Sequence, residues 1–137
     1  MLAAGYDVGT DSFQAVAKIG GGLSEEQWIK LRESLDKTKV SSRPARVDSR
    51  LTPDVWTEPK YVVTVLADEI TRSPIHTCAQ NEEGIGLALR FPRLVGFIRK
   101  DKSPEDATTV KEIKEMFTMQ RSGGNDDAGD IFALDLA

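Results

Sequence analysis

The order of hydrophobic and polar residues predicts a chain made mainly of short β-strands. Residues 2–6 and 13–19 are largely apolar runs on either side of a polar turn, and together they predict a β-hairpin. The clearest strand pattern lies at 61–67, which is dense in β-branched residues. A further strand is predicted at 87–98, and Pro92 within it indicates an edge position or a bulge.

Two helices are predicted, one between these strands and one after them. Ser24 with Gln27, and Thr109 with Glu112, have capping-box spacing, in which each side chain bonds the other residue's backbone N–H. The first helix is expected to end near Asp36. Apolar residues follow each cap at helical spacing and predict the buried faces; they are Trp28, Leu31 and Leu35 in the first helix and Val110, Ile113 and Phe117 in the second.

The segment 41–59 is rich in proline, serine and charge, which predicts a long connection with one short strand. Short strands, a helix between them and a C-terminal helix favour a mainly β fold with helices. The five-stranded OB barrel is the natural candidate for this order of elements, and OB barrels commonly bind nucleic acid on their face and loops.

Length and charge suggest one domain followed by a tail. A chain of 137 residues fits one domain, since domains run to about 100–200 residues. The whole net charge of −4 is carried by residues 122–137, which contain four aspartates and no lysine or arginine. We therefore expect an OB domain at 1–120 and a flexible acidic tail at 121–137. The apolar end of this tail leaves two interpretations open, a docking peptide for a sliding clamp or another protein, or packing on its own domain or a neighbouring copy.

Several classes of protein and site are disfavoured. The sequence has no apolar run of about 18 residues, and its first residues lack the basic start of a secretory signal, so no membrane partner is expected. A single cysteine, Cys78, cannot form an internal disulfide and suits a reducing cytoplasm. Without a CxxC pair or a His/Cys cluster, no metal site is expected.

Residues 90–102 form a strongly basic segment. They hold five cations and one anion, a local excess of +4 in a chain whose total charge is negative. Because the local field steers a polyanion, this segment is a candidate phosphate-binding surface. The alternative is an exposed edge strand whose cations only discourage edge-to-edge pairing. The charged residues are Arg90, Arg93, Arg99, Lys100 and Lys102, with Asp101.

Two ordered blocks carry a family resemblance. The sequence VWTEPK at 55–60, the strand that follows it, and DEITRSPIH at 68–76 are similar to the C-terminal OB domain of ATP-dependent DNA ligases. The sequences ALRFPR at 88–93 and RKDKSPEDATT at 99–109 resemble the sixth nucleotidyltransferase motif and the helix after it. These motif sequences most resemble those of archaeal replicative ligases, and the resemblance covers residues 2–120 approximately.

The resemblance implies nick sealing in DNA replication and repair, in three steps. A lysine is adenylated by ATP with Mg²⁺, the AMP passes to a 5′-phosphate of nicked double-stranded DNA, and the 3′-hydroxyl then attacks. It also implies that Arg99 and Lys102 contact the β- and γ-phosphates while Asp101 orients one of them through a salt bridge. Arg90 and Arg93 are candidates for a contact with the DNA backbone or with another domain. From their charge alone, further candidate DNA contacts are Arg43, Arg46, Arg50 and Lys60, for which a solvated loop is an equal alternative.

The sequence departs from the family pattern in four ways. No Asp-Gly pair occurs, so the Lys-x-Asp-Gly nucleophile is absent, and the chain starts where the family's first OB strand is already under way. Five residues separate Arg93 from Arg99 where many members have four, which leaves their relative register open. Thr64 stands where a glutamate is common.

These departures imply an OB domain that works with an adenylation domain, in cis or in trans, and is inactive and without a bound cofactor alone. The alternatives are a stand-alone OB module for single-stranded nucleic acid, and an interaction subunit. An aromatic content of 7% disfavours the first, because such modules stack bases on aromatic side chains.

Three further side chains have structural interpretations at this point. His76 is expected to be a buried structural histidine, Cys78 a packed thiol, and Trp56 a packing residue in preference to a base-stacking one. The adjacent acids Asp68 and Glu69 would point to opposite faces of a strand, so turn capping or a salt bridge to Arg72 is expected in place of a shared acid–base site.

Overall fold

The computed structural model describes residues 1–53, 55–120 and 130–136. The strands are β1 (Leu2–Asp7), β2 (Ser12–Lys18), β3 (Lys39–Val40), β4 (Val47–Asp48), β5 (Trp56–Thr57), β6 (Val62–Ala67), β7 (Glu69–Ser73), β8 (Gly86–Arg90), β9 (Arg93–Arg99) and β10 (Asp130–Leu136). The helices are α1 (Glu25–Asp36) and α2 (Val110–Met119), and a 3₁₀ turn spans Pro104–Asp106.

Six strands form one sheet in the order β4-β2-β1-β10-β6-β9, while β3 pairs with β5 and β7 pairs with β8. All neighbours in the large sheet are antiparallel except β2 and β4, which are parallel. The mainly β class is confirmed, as is the hairpin of β1 and β2. Pairing joins segments far apart in the chain, so the core depends on non-local contacts.

Both predicted helices are confirmed, together with their caps. In α1, the Ser24 hydroxyl accepts from the Gln27 backbone N–H at 3.2 Å, and the Gln27 side chain accepts from the Ser24 N–H at 3.0 Å. Thr109 and Glu112 repeat this arrangement at the start of α2. Such a cap contributes about 1 kcal/mol by satisfying otherwise unpaired N–H groups. Local sequence therefore determines where each helix begins.

The helix α2 packs very closely on β1, and a glycine makes this possible. A Cβ atom on Gly5 would lie 2.9 Å from Cδ1 of Ile113 and 3.2 Å from the backbone oxygen of Thr108. Ile113 is fully buried, and Leu31 of α1 is buried equally in the same core. Each helix thus packs on the core with the apolar face that the sequence predicts.

The strand predicted at 87–98 is in fact two strands. The chain breaks at Phe91, whose φ is +52°, and at Pro92, so that β8 pairs with β7 while β9 pairs with β6. The break leaves β9 at the outer edge of the large sheet, which agrees with the edge position expected from Pro92. The strand β7, at Glu69–Ser73, had no counterpart in the sequence prediction.

The predicted domain boundary at residue 120 is wrong, because residues 130–136, the last described segment, belong to the domain. Residues 130–136 form β10 in the middle of the sheet, with six paired positions on β6 and two on β1. The side chains of Phe132, Leu134 and Leu136 are 1%, 0% and 1% exposed. Phe132 and Leu134, the anchors in the docking-peptide interpretation, therefore lie in the core, in agreement with the other interpretation, packing on its own domain. The rest of the predicted tail, 121–129, lies outside the described residues.

The burial of β10 leads to a stability prediction. Phe132→Ala should lower the free energy of unfolding by about 3–5 kcal/mol, because it removes a fully buried ring from the core. Urea unfolding followed by circular dichroism measures this change. Met119→Ala is the matched control, since Met119 is 71% exposed and its loss should change stability by less than about 0.5 kcal/mol. A Phe132→Ala variant as stable as the control would show that β10 does not belong to the core.

Candidate functional site

The edge strand β9 carries a bulge that places its basic residues. On the two sides of the bulge the register with β6 is Val63↔Ile98 and Val65↔Leu94. Three residues, 95–97, therefore lie opposite Thr64 alone, and Gly96 among them has φ +76°. Because side chains alternate between faces, a shift of two residues leaves Arg93 and Arg99 on the same face of the sheet. The five-residue spacing between these arginines is accommodated here.

Arg99 is held by the carboxylate two residues after it. Nε and Nη2 of Arg99 donate to the two carboxylate oxygens of Asp101 at 2.9 and 2.7 Å, and Nη1 lies 3.5 Å from the hydroxyl of Thr64. The guanidinium lowers the pKa of Asp101 to about 2, chiefly through these hydrogen bonds, and Asp101 in turn raises the pKa of Arg99. Two of the five guanidinium N–H groups bind Asp101, and the end formed by Nη1 and Nη2 still has donors for a phosphate.

Lys102 begins the segment that leads away from β9. Its ammonium lies 3.4 Å from the backbone oxygen of Asp106, across a 3₁₀ turn capped by Ser103. The Ser103 hydroxyl and backbone N–H both donate to the Asp106 carboxylate, at 2.8 and 3.2 Å, and these bonds lower the pKa of Asp106. The turn thus gives Lys102 a defined position beside Asp101.

Arg90 and Arg93 pair with the two adjacent acids. Nη1 of Arg90 donates to Glu69 at 2.6 Å, and Nη1 of Arg93 donates to Asp68 at 3.0 Å. The salt bridge expected to Arg72 is replaced by these two, and the guanidinium of Arg72 lies 5.3 Å from the ring centre of Phe117. The two carboxylates reduce the local excess of +4 on 90–102 to +2. All four side chains are at least 38% exposed, so each pair contributes only about 0–1 kcal/mol and can exchange its carboxylate for a phosphate.

Phe91 is a candidate that the sequence prediction missed. Its ring is 61% exposed between Arg90 and Arg93, and the Arg90 guanidinium lies 5.0 Å from its centre. A non-glycine residue at positive φ is strained, and such strain is often found at binding sites. The only signal in the sequence was an aromatic residue between two arginines at a proline break.

The remaining predicted cations bind to neighbouring protein groups. Arg50 donates to the backbone oxygens of Pro74 and Gly84 at 2.8 and 3.0 Å, and so joins three loops. Arg43 donates to Ser49 of its own loop at 3.4 Å, and the Lys60 ammonium lies 5.8 Å from the centre of the adjacent Tyr61 ring. Arg46 forms two ion pairs near the first hairpin, with Asp11 and Glu105. Each of these four cations contacts a protein group in the structure, and their role as DNA contacts stays a prediction.

His76 and Cys78 have the packing expected of them. His76 is 8% exposed and its Nδ1 lies 2.8 Å from the Ser73 hydroxyl, while burial lowers its pKa, with a smaller effect from Lys18. Cys78 is fully buried, which raises the pKa of its thiol to about 12. A thiol with that pKa is not a nucleophile at neutral pH.

In 1–53, 55–120 and 130–136, no group of three or more acidic, histidine or cysteine side chains is arranged to hold a metal ion. Within the same ranges, neither helix is long and apolar enough to cross a membrane.

Comparison with known proteins places this surface in context. Residues 1–102 match the family described as the ATP-dependent DNA ligase C-terminal region. The chain is 56% identical over 131 residues to a probable DNA ligase of Dictyoglomus thermophilum, covering 96% of this chain and 22% of that protein. It is 49% identical over 123 residues to DNA ligase 2 of Thermofilum pendens and 47% identical over 122 residues to a DNA ligase of Saccharolobus solfataricus, covering 88% of this chain and 20% of each relative. The chain thus spans about a fifth of the length of these relatives.

The pair of Arg99 and Asp101 leads to a pH prediction. The carboxyl carbon of Asp101, followed by NMR, should titrate with a midpoint of about 2. In Arg99→Ala the midpoint should rise towards about 3.9, the ordinary value, because the largest of the causes that lower it is gone. Since the folded pKa is lowered, the stabilisation from this pair is complete above about pH 3.9 and is lost as the pH falls towards about 2. Equal midpoints in the two proteins would mean that the pair does not form in solution.

Proposed function

The chain belongs to the family of the C-terminal region of ATP-dependent DNA ligases, whose OB fold the strand and helix pattern predicted, and we propose that it orients ATP phosphates and binds nicked double-stranded DNA in such a ligase. The observation that carries this proposal is the Arg99 guanidinium, held by Asp101 at the end of an exposed edge strand, next to Lys102. All three residues lie in the matched region. We expect the protein to act on DNA in the cytoplasm.

The first proposed role concerns the ATP step. In the complete enzyme, ATP with Mg²⁺ supplies the AMP group and releases pyrophosphate, on which negative charge accumulates. Arg99 presents planar paired donors to phosphate oxygens, and Lys102 adds a compact positive charge. Because Asp101 already orients the guanidinium, little rearrangement is needed when charge develops. The nucleophilic lysine would come from an adenylation domain in cis or in trans, so this chain alone should form no lysine–AMP adduct.

The second proposed role is contact with the DNA backbone. Arg90 and Arg93 lie on either side of Phe91 at the exposed break between β8 and β9. Each arginine can exchange its exposed carboxylate partner for a phosphate at little cost. Phosphate contacts set position without reading sequence, which suits a protein that seals nicks anywhere. An exposed aromatic between them can pack against sugars or enter the minor groove.

The stand-alone module for single-stranded nucleic acid has less support. Such modules stack successive bases on several aromatic side chains. Among the aromatic side chains that the structure describes, Phe91 is the exposed one, while Phe13 and Phe132 are 1% exposed. One exposed ring does not make a stacking surface, so we favour the ligase domain.

The ATP role can be tested by complementation. The chain is mixed with the remaining domains of the Dictyoglomus thermophilum ligase, and sealing of a labelled nick is measured. Arg99→Ala should lower ATP-dependent sealing by about 100-fold or more, the usual effect of losing one donor to a developing charge. Arg32→Ala, on the exposed side of α1, is the matched control and should have no effect. A lysine–AMP adduct formed by this chain alone, or full activity of Arg99→Ala, would contradict the proposal.

The DNA role predicts opposite effects at one ion pair. Arg93→Ala should weaken binding to nicked duplex and reduce the slope of log K against log salt by about one. Asp68→Asn should strengthen binding, because it frees Arg93 from a competing carboxylate. Phe91→Ala should weaken binding without changing the slope, since it removes no charge. These affinities are measured by fluorescence anisotropy between about 50 and 200 mM salt; unchanged affinity in both charge variants would exclude Arg93 as a phosphate contact.

A further inference from the structure

Arg46 lies between two acidic side chains from different parts of the chain. Its Nη2 donates to Asp11 at 2.6 Å, and both Nη1 and Nη2 lie 3.3 Å from one carboxylate oxygen of Glu105. We infer that Arg46 is a positioning residue that fastens the segment carrying Asp101 and Lys102 to the first hairpin, and that it is not a DNA contact. The attachment itself is independent of the proposed function, whereas its effect on the ATP step rests on that function.

At the Asp11 end, several contacts hold the Arg46 guanidinium in place on the first hairpin. The Tyr6 hydroxyl donates a short hydrogen bond to the same carboxylate oxygen of Asp11 that Arg46 binds, and the Arg46 guanidinium lies 4.9 Å from the ring centre of Phe13. Tyr6 and Arg46 together lower the pKa of Asp11, with Tyr6 the larger cause, so this carboxylate is ionised at neutral pH. These contacts hold the Arg46 guanidinium on the hairpin, and from there it also contacts Glu105.

The Glu105 side leads directly to the phosphate-handling residues. Glu105 lies in the 3₁₀ turn, three residues after Lys102, and Lys102 itself contacts the end of that turn at Asp106. A second connection follows, because the backbone N–H of Tyr6 donates to the oxygen of Thr108 at 3.1 Å. The segment 101–109 is thus attached to the hairpin through Arg46 at Glu105 and, further along the chain, through the buried Ala107 and the backbone of Thr108. Of these attachments, the one through Arg46 is nearest in sequence to Lys102.

The surroundings of Arg46 argue against a role in DNA binding. Its charge is opposed by two carboxylates, so the group of Arg46, Asp11 and Glu105 has a net charge of −1. One face of the guanidinium is against Phe13, and Nε also points to the backbone oxygen of Asp11 at 3.5 Å. A DNA phosphate would meet net negative charge here, in contrast to the net positive surface at 90–102.

The first experiment measures the attachment without any activity assay. Hydrogen exchange of the backbone amides at 106–108 is compared in the full chain and in Arg46→Ala and Glu105→Gln. Both variants should speed this exchange about two- to fivefold and leave β6 unchanged, because an exposed charge-assisted bond that restricts local opening is lost. Arg43→Ala is the matched control, since it removes an arginine of the same loop whose observed contact is with Ser49. Exchange at 106–108 that equals that of the control would overturn the inference.

The second experiment separates positioning from DNA contact in the complementation assay. Arg46→Ala should raise KM for ATP and slow adenylation at least about tenfold, while sealing of a pre-adenylated nick and the salt slope of DNA binding stay unchanged. Glu105→Gln should have the same effect, and the double variant should be no worse than Arg46→Ala, as expected for two residues that act through one contact. Arg46→Lys should recover part of the loss. A salt slope reduced by about one in Arg46→Ala alone would instead make Arg46 a DNA contact.

The outcomes distinguish this inference from the proposed function. If Arg99→Ala leaves adenylation intact while Arg46→Ala still speeds exchange at 106–108, the phosphate role of the segment fails and the attachment stands. If Arg99→Ala abolishes adenylation while Arg46→Ala leaves it unchanged, the proposed function stands and the positioning role of Arg46 fails.

Discussion

The antiparallel pairing of β6 with β9 on one side and β10 on the other is the interaction on which the rest of the structure depends. It fills the centre of the sheet with the side chains of Val65 and Phe132, which are buried to 0% and 1% exposure, and it leaves β9 as an outer strand. Only an outer strand can carry several arginines without burying their charge. The bulge opposite Thr64 then adds two residues to β9, an even number, so Arg93 and Arg99 keep a common face.

Charge on this protein is arranged as oriented pairs more than as a simple excess. Arg90, Arg93 and Arg99 each have a carboxylate partner, and those partners lie on neighbouring turns and strands. Exposed pairs of this kind add little to stability. Under the proposed function their value is in orientation, since a guanidinium already held in one plane needs less ordering when it binds a phosphate. Ion pairing has a different consequence at Arg46, because two carboxylates there exceed the charge of one cation. The contact then connects the first hairpin to the segment that carries Glu105.

The parts of the fold that follow from neighbouring residues could be predicted. A capping box is a contact between residues three apart, and a buried helical stripe is a periodicity, so α1 and α2 are evident in the sequence. The β1–β2 hairpin is similarly local. By contrast, β10 looked like an acidic tail because four aspartates dominate the composition of 122–137. Its place between β1 and β6 depends on pairing with residues more than 60 positions away, and no local pattern records that.

The sequence by itself determined the helices, the basic segment and the family, because each is written in residue types and spacing along the chain. Arg99, Asp101 and Lys102 are close in the sequence, and the family resemblance grouped them as candidates for phosphate contact, a role that stays a prediction. Only the tertiary structure decided the partners of Arg90, Arg93 and Arg46, the exposure of Phe91, and the burial of Phe132. Those features arise when segments far apart in the chain meet, and a large separation along the chain does not show which segments will meet in the fold.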